Sequence, residues 1–212
     1  MHISEGVLSA PVIAAGWGAA LAGVSVGLKK TEARRLPETA LVSAVLFLAS
    51  LVHVPLGPSS IHLTMLGLAG ILLGWSAVPA LFVALLLQGM LFQFGGLLSL
   101  GVNTTVMGTA ALSAFGVWRL FSRGNSGRDL PPVFAAGAKP AAAFVSGFTA
   151  VITGAALVTL SLFLSARDLA AAAALMFAAN LPLAVAEGIL TAFCVIFLQR
   201  LLPRYVSGQS GI

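Results

Sequence analysis

Long apolar blocks separated by short polar or glycine- and proline-rich breaks run through the whole chain, and their spacing predicts helices. Block one covers about Ser9 to Leu28. Block two covers about Glu38 to Val52 after Pro37, and block three covers Ile61 to Trp75. Block four extends from about Ala80 to Phe94 beyond a tight reversal at Gly74 to Pro79, and block five from about Thr104 to Phe121. Blocks six and seven, about Pro140 to Leu164 and about Asp168 to Leu198, complete the set. The expected architecture is all-α, with about seven membrane-crossing helices in a single integral domain over residues 1–212.

Block three is short. Its 15 residues make a helix of about 22 Å, against a hydrocarbon core of about 30 Å. It is therefore expected to start inside the membrane, after His53-Val54-Pro55-Leu56-Gly57-Pro58-Ser59-Ser60, whose two prolines and glycine predict a turn or irregular loop. Gly95-Gly96-Leu97-Leu98-Ser99-Leu100-Gly101-Val102-Asn103 is too apolar for a solvated loop and predicts a second re-entrant or cavity-facing segment. Non-helical backbone at that depth is tolerated only where protein buries it or it lines a cavity. Small residues in block one, Ala15, Ala19, Gly23 and Gly27, predict a face for close helix packing, inside the bundle or against a partner.

Composition supports the membrane reading: 59% of the 212 residues are hydrophobic, only 8% are charged, and mean hydropathy is +1.05. A net charge of +5 would suggest nucleic acid in a soluble protein, but here the basic residues lie between the apolar blocks and report topology instead, so no nucleic-acid partner is expected. A seven-helix layout collects Lys29, Lys30, Arg34, Arg35, Arg119, Arg123, Arg128, Lys139, Arg200 and Arg204 on one side and leaves only Arg167 on the other. Six or eight helices would scatter them. Basic loops stay cytoplasmic, so the amino terminus is expected outside and the carboxy terminus inside. Residues 122–139 then form a cytoplasmic linker and residues 203–212 a short polar tail. No basic region precedes block one, so no cleaved signal peptide is expected and Met1 should be retained. The lone Cys194 lies in an apolar run and is expected to be a packing residue.

Candidate chemistry begins at the first residues, Met1-His2-Ile3-Ser4-Glu5-Gly6. A free amine followed by histidine offers a metal three nitrogens in sequence: the amine of Met1, the backbone nitrogen of His2 and the His2 imidazole. Nitrogen-only, square-planar donor sets suit Cu(II) and Ni(II), and imidazole generally suits late first-row metals better than Mg(II) or Ca(II). Affinity should fall as pH drops, since the donors must be deprotonated. The fourth donor has two candidates, His53 and His62, the only other histidines. The predicted topology puts residues 1–8, the His53–Ser60 loop and the Gly95–Asn103 segment on one outer side. Glu5, His53, Ser59, Ser60, Thr64 and Asn103 are candidates to orient the ligands, as metal-bound imidazoles usually need a partner for their other nitrogen.

Glu187 lies inside block seven after Asn180 and Pro182. An ionisable residue in a membrane span is costly and faces the bundle interior or a partner, so a structural or partner-coupling part is expected, nearer the cytoplasmic half. No phosphate-binding glycine loop, cysteine–histidine cluster, serine elbow or catalytic carboxylate pair is present. The chain is thus expected to be no enzyme and to carry no prosthetic group. Any energy for uphill transport must come from a partner or an ion gradient. The rival class is an autonomous secondary transporter or channel, with Glu187 and Asn180 in an ion or proton path.

Four stretches carry a family resemblance: Met1-His2-Ile3-Ser4-Glu5-Gly6-Val7-Leu8-Ser9; His53-Val54-Pro55-Leu56-Gly57-Pro58-Ser59-Ser60-Ile61-His62-Leu63; Phe94-Gly95-Gly96-Leu97 with Gly101-Val102-Asn103-Thr104; and Pro182-Leu183 with Glu187-Gly188. Together they resemble the CbiM/NikM family, the substrate-binding membrane subunits of energy-coupling-factor cobalt and nickel transporters, over nearly the whole chain. The resemblance implies an S-component bundle with an added amino-terminal helix in a bacterial inner membrane. It implies Co(II) or Ni(II) as cargo, with cobalt serving cobalamin synthesis, and ligation by Met1, His2 and the imidazole matching His62. The implied partners are a transmembrane coupling subunit, two ATPase subunits, a small accessory membrane subunit and membrane lipid. Ser4-Glu5 departs from the commoner family start, which has proline followed by an acidic residue, and the extra carboxy-terminal domain of some relatives is not matched.

Overall fold

A computed structural model describes residues 2–51, 53–56, 59–121, 140–166 and 170–201. Seven helices are present among them: α1 (Ala10–Lys30), α2 (Leu36–Ala49), α3 (Leu66–Leu73), α4 (Ala77–Phe92), α5 (Leu100–Phe121), α6 (Pro140–Ser165) and α7 (Ala170–Leu201). By length and composition five segments are long and apolar enough to cross a bilayer: Ala10–Lys30, Leu66–Phe92, which combines α3 and α4, Leu100–Phe121, Pro140–Ser165 and Ala173–Arg200. The chain is an all-α, multi-pass membrane protein.

Where a turn or irregular loop is expected, residues His53–Leu56 (β1) and Ser59–His62 (β2) form a small antiparallel ribbon. Its register sets His53 opposite His62 and Val54 opposite Ile61. β-branched residues suit such a ribbon, and Pro55 is tolerated because a two-stranded ribbon consists only of edges.

The core is formed where α3, α4, α5, α6 and α7 converge, and α3 is its most enclosed element, with Leu66, Gly67, Ala69, Gly70, Ile71 and Leu73 all buried. Gly70 lies against Ala111 and Ala114, and Gly74 against Phe115, whereas Val78 at the start of α4 lies against Gly108. The chain therefore runs down α5 along α3 and back up it along α4, turning at Gly74–Ser76. Val195 of α7 shares a cluster with Ile71 and Trp118, and Gly27 of α1 meets Trp75 and Pro79. The carboxy ends of α1, α5 and α7, with Lys29, Lys30, Arg119 and Arg200, thus gather at one end of the bundle. There the Lys30 ammonium stands 4.1 Å over the Trp75 ring. Arg123, Arg128, Lys139, Arg167 and Arg204, the 122–139 linker and the 203–212 tail lie outside the described residues.

The packing face of α1 differs from the expected one. Gly16, Ala20 and Gly27 are buried and Gly23 touches Val78, while Ala15 and Ala19 are exposed. A strict four-residue spacing drifts around a helix of 3.6 residues per turn, so only part of that series can face one neighbour.

Candidate functional site

The amino-terminal segment enters the bundle as extended chain. Ile3 is fully buried and His2 is 4% exposed, and neither belongs to a helix that would satisfy its backbone. Buried backbone groups must find partners. Asn103, in the first turn of α5, supplies both for Ile3: its Oδ1 accepts the Ile3 N–H at 2.9 Å and its Nδ2 donates to the Ile3 carbonyl at 3.1 Å. A planar amide carries one donor and one acceptor edge, so Asn103 pairs with Ile3 much as an adjacent strand would. Its Nδ2 is also 3.5 Å from Ser99 Oγ.

The turn between α4 and α5 is shaped to receive this segment. Gly95 and Gly96 have φ of +77° and +79°, where side chains are disfavoured. A Cβ on Gly95 would lie 2.8 Å from Asn103 Nδ2 and 3.6 Å from His2 Cβ, and one on Gly96 would lie 2.6 Å from Glu5 Oε2. Ser99 Oγ donates to the Gly95 carbonyl, fixing the turn from inside. Glu5 Oε1 accepts the Leu98 N–H at 3.0 Å, and Trp17 Nε1 donates to the Leu98 carbonyl at 3.0 Å. Of the Gly95–Asn103 stretch, expected to be re-entrant or cavity-facing, Gly95, Gly96 and Asn103 face the amino-terminal segment. Leu97 and Leu98 are 49% and 60% exposed, and helix α5 already begins at Leu100.

The ribbon bearing His53 and His62 leads through Leu63, Thr64 and Met65 into α3. Met65 adopts φ +50°, unusual for a side chain of its kind, and caps the helix without a side-chain hydrogen bond of its own. Glu187, fully buried on α7, closes that end instead. Its Oε1 accepts the Thr64 N–H, and its two oxygens stand 2.9 and 3.1 Å from the Met65 nitrogen. A carboxylate at a helix amino end also meets the positive pole of the helix dipole. At the other end, Arg35 Nη2 donates to the Leu72 carbonyl at 2.7 Å and pairs with Glu38.

Of the residues singled out from sequence, His2, Glu5 and Asn103 come together around the Gly95 turn, and Thr64 and Glu187 meet behind the ribbon. Glu187 stands midway along α7 and is turned to the ribbon end of α3, away from the basic end expected for it. Asn180, on the same face of α7, is buried, and its Nδ2 donates to the Met176 carbonyl at 2.7 Å. Met1 lies outside the described residues. So do the side chains of His53, Ser59, Ser60 and His62, whose backbones are strand. Among described side chains, no group of three His, Cys, Asp or Glu gathers as a metal site. Trp17, Ser99 and Arg35 were not singled out from sequence. The signal for Ser99 was its place four residues before Asn103. Trp17 reads as one more apolar residue inside block one, and Arg35 as one of the basic residues between blocks one and two.

A family model described as the cobalt uptake substrate-specific transmembrane region, CbiM, matches residues 2–205. A Haemophilus influenzae protein with a provisional metal-transport name is 50% identical over 119 residues, covering 56% of this chain and 58% of that protein. The fused nickel transport protein NikMN of Rhodobacter capsulatus is 35% identical over 58% of this chain, which spans only 38% of its length. The cobalt transport protein CbiM of Lachnoclostridium phytofermentans is 33% identical over 93% of this chain and 77% of its own length. A crystal structure described as a transition metal transporter superposes with a TM-score of 0.78 at 26% identity, covering 95% of this chain and 93% of that one.

Proposed function

Because the chain belongs to the CbiM family, we propose that it is the metal-capturing membrane subunit of an energy-coupling-factor importer, with Co(II) or Ni(II) as its cargo. In this reading the ion is held by the Met1 amine, the backbone nitrogen and imidazole of His2, and the imidazole of His62. The amino terminus faces outside, and the ion arrives hydrated and exchanges water for nitrogen. Imidazole and amine donors suit Co(II) and Ni(II). A transmembrane coupling subunit, two ATPase subunits and a small accessory membrane subunit would supply energy and release.

The observation that carries the reading is the seat of the amino-terminal segment. A chelate made from the first two residues is flexible unless the next residue is fixed, and Asn103 fixes Ile3 through both of its backbone groups. Holding the donors in advance removes part of the ordering cost of binding.

The test is an added residue ahead of Met1. It leaves Asn103 and the bundle untouched but moves the amine, so purified protein should lose Ni(II) binding by at least about 100-fold, which corresponds to about 2.7 kcal/mol. Unchanged binding in isothermal titration would defeat the amine-ligand model.

A further inference from the structure

The geometry points to Glu187 as the positioning residue that fixes the His62-bearing ribbon in the bundle. The inference rests on the proposed role of His62 and adds to it a group the metal never touches.

Three observations lead there. First, β2 ends at His62, and only Leu63 intervenes before the two amides at Thr64 and Met65 that the Glu187 carboxylate receives. A single residue thus separates the ribbon from the clamp, too short a link to absorb a displacement of α3. Second, Met65 holds a left-handed conformation at φ +50° with no cap from its own neighbourhood. The sharp turn from strand to helix is therefore kept by a side chain 122 positions away in sequence. Third, the helices that bear the clamp cannot slide easily. A Cβ on Gly67 would stand 2.5 Å from Gly147 Cα and 2.9 Å from Thr191 Oγ1, and one on Gly147 would stand 2.8 Å from the Glu187 carbonyl oxygen. Helices α3, α6 and α7 thus meet through two glycines within one turn of the carboxylate.

The chemistry explains why this residue is a carboxylate. Both groups it meets are donors, and an ionised carboxylate only accepts. A glutamine of the same shape would turn one NH₂ against an amide N–H. An ionisable group inside a membrane span is expensive, and the shared cap of α3 gives it partners there. Because the clamp lies on α7, a shift of α7 against α3 would move the ribbon, a route by which a docked partner could loosen the site.

The test uses the full chain with its own amino terminus in detergent, titrated with Ni(II) alone and followed by its ligand-field absorption. Glu187→Gln should weaken Ni(II) binding at least tenfold and shift the absorption band toward that of His62→Ala. The double variant should bind no more weakly than His62→Ala alone, since a positioning group has nothing left to position. Glu187→Asp, which keeps the acceptors on a shorter stem, should recover part of the affinity. If Glu187→Gln fails to fold, Glu187→Asp carries the comparison: weaker Ni(II) binding at an unchanged melting temperature supports the role, and unchanged binding overturns it. Normal binding and spectrum in Glu187→Gln beside a weakened His62→Ala overturn the inference and leave the metal site standing. Additive losses in the double variant also overturn it, because they would mean a general loss of stability. Normal binding in His62→Ala and in the extended amino terminus defeats the site itself, and the inference with it.

Discussion

The amino-terminal segment and helix α3 are both short pieces of chain seated in the bundle by one polar side chain from a distant helix, yet the seats differ in kind. Ile3 is held by a neutral amide, Asn103, which offers one donor and one acceptor. Helix α3 is held at its ends by ionisable groups, Glu187 at the amino end and Arg35 at the carboxy end. Neutral hydrogen bonds contribute about 1 kcal/mol each, and those to a charged group about 1.5–3 kcal/mol, less where the group is part-exposed as Arg35 is. The first seat suits a segment that docks, and the second suits a frame that stays in place. Exposure follows the same division: Ser4, Glu5 and Gly6 lie at the surface, while nearly all of α3 is enclosed.

The contrast can be broken most strongly at Asn103. Asn103→Leu leaves the buried N–H and carbonyl of Ile3 without partners, at about 1–3 kcal/mol each. Ni(II) affinity should fall by roughly 30-fold or more, with the melting temperature lowered by only a few degrees. An equal loss of affinity and fold would mean that the segment is part of the frame. Arg35→Met should act in the opposite way. Losing the cap on Leu72 should lower stability by about 1 kcal/mol, read as a lower thermal midpoint, with Ni(II) affinity kept within about twofold. The smallest effect is expected for Glu5→Gln. Glu5 is exposed, and glutamine can still accept the Leu98 N–H, so binding should weaken by less than about 0.5–1 kcal/mol. A tenfold loss there would show that the charge of Glu5, and not its hydrogen bond, matters to the site.

Much of the fold was legible because membrane helices announce themselves. Long apolar blocks and basic breaks follow from the need to satisfy every backbone group away from water, and the seven α-helices fall close to the predicted blocks. The ribbon was not legible because Pro55 is a strong turn signal within β1, while the pairing that overrides it is made between strands. The start of α5 was misplaced for a similar reason. Gly101 reads as a breaker, but in the bundle it lets Trp17 approach, a Cβ there falling 2.5 Å from Trp17 Cγ. Of the candidate site, His2, Asn103 and Glu187 could be singled out as unusual residues in apolar surroundings. What each one touches could not.

The sequence by itself determined the class of the protein and the inventory of donors: an apolar, basic-edged chain with few ionisable residues in its spans and a histidine beside its first residue. Those properties are local, set by residue type and by spacing along the helix period. Only the tertiary structure decided that Asn103 meets Ile3 across 100 residues and that Glu187 caps α3 across more than 120. A polar side chain in a membrane span must find a partner, but the requirement is indifferent to which partner it finds. That choice is made by the packing of the helices around it.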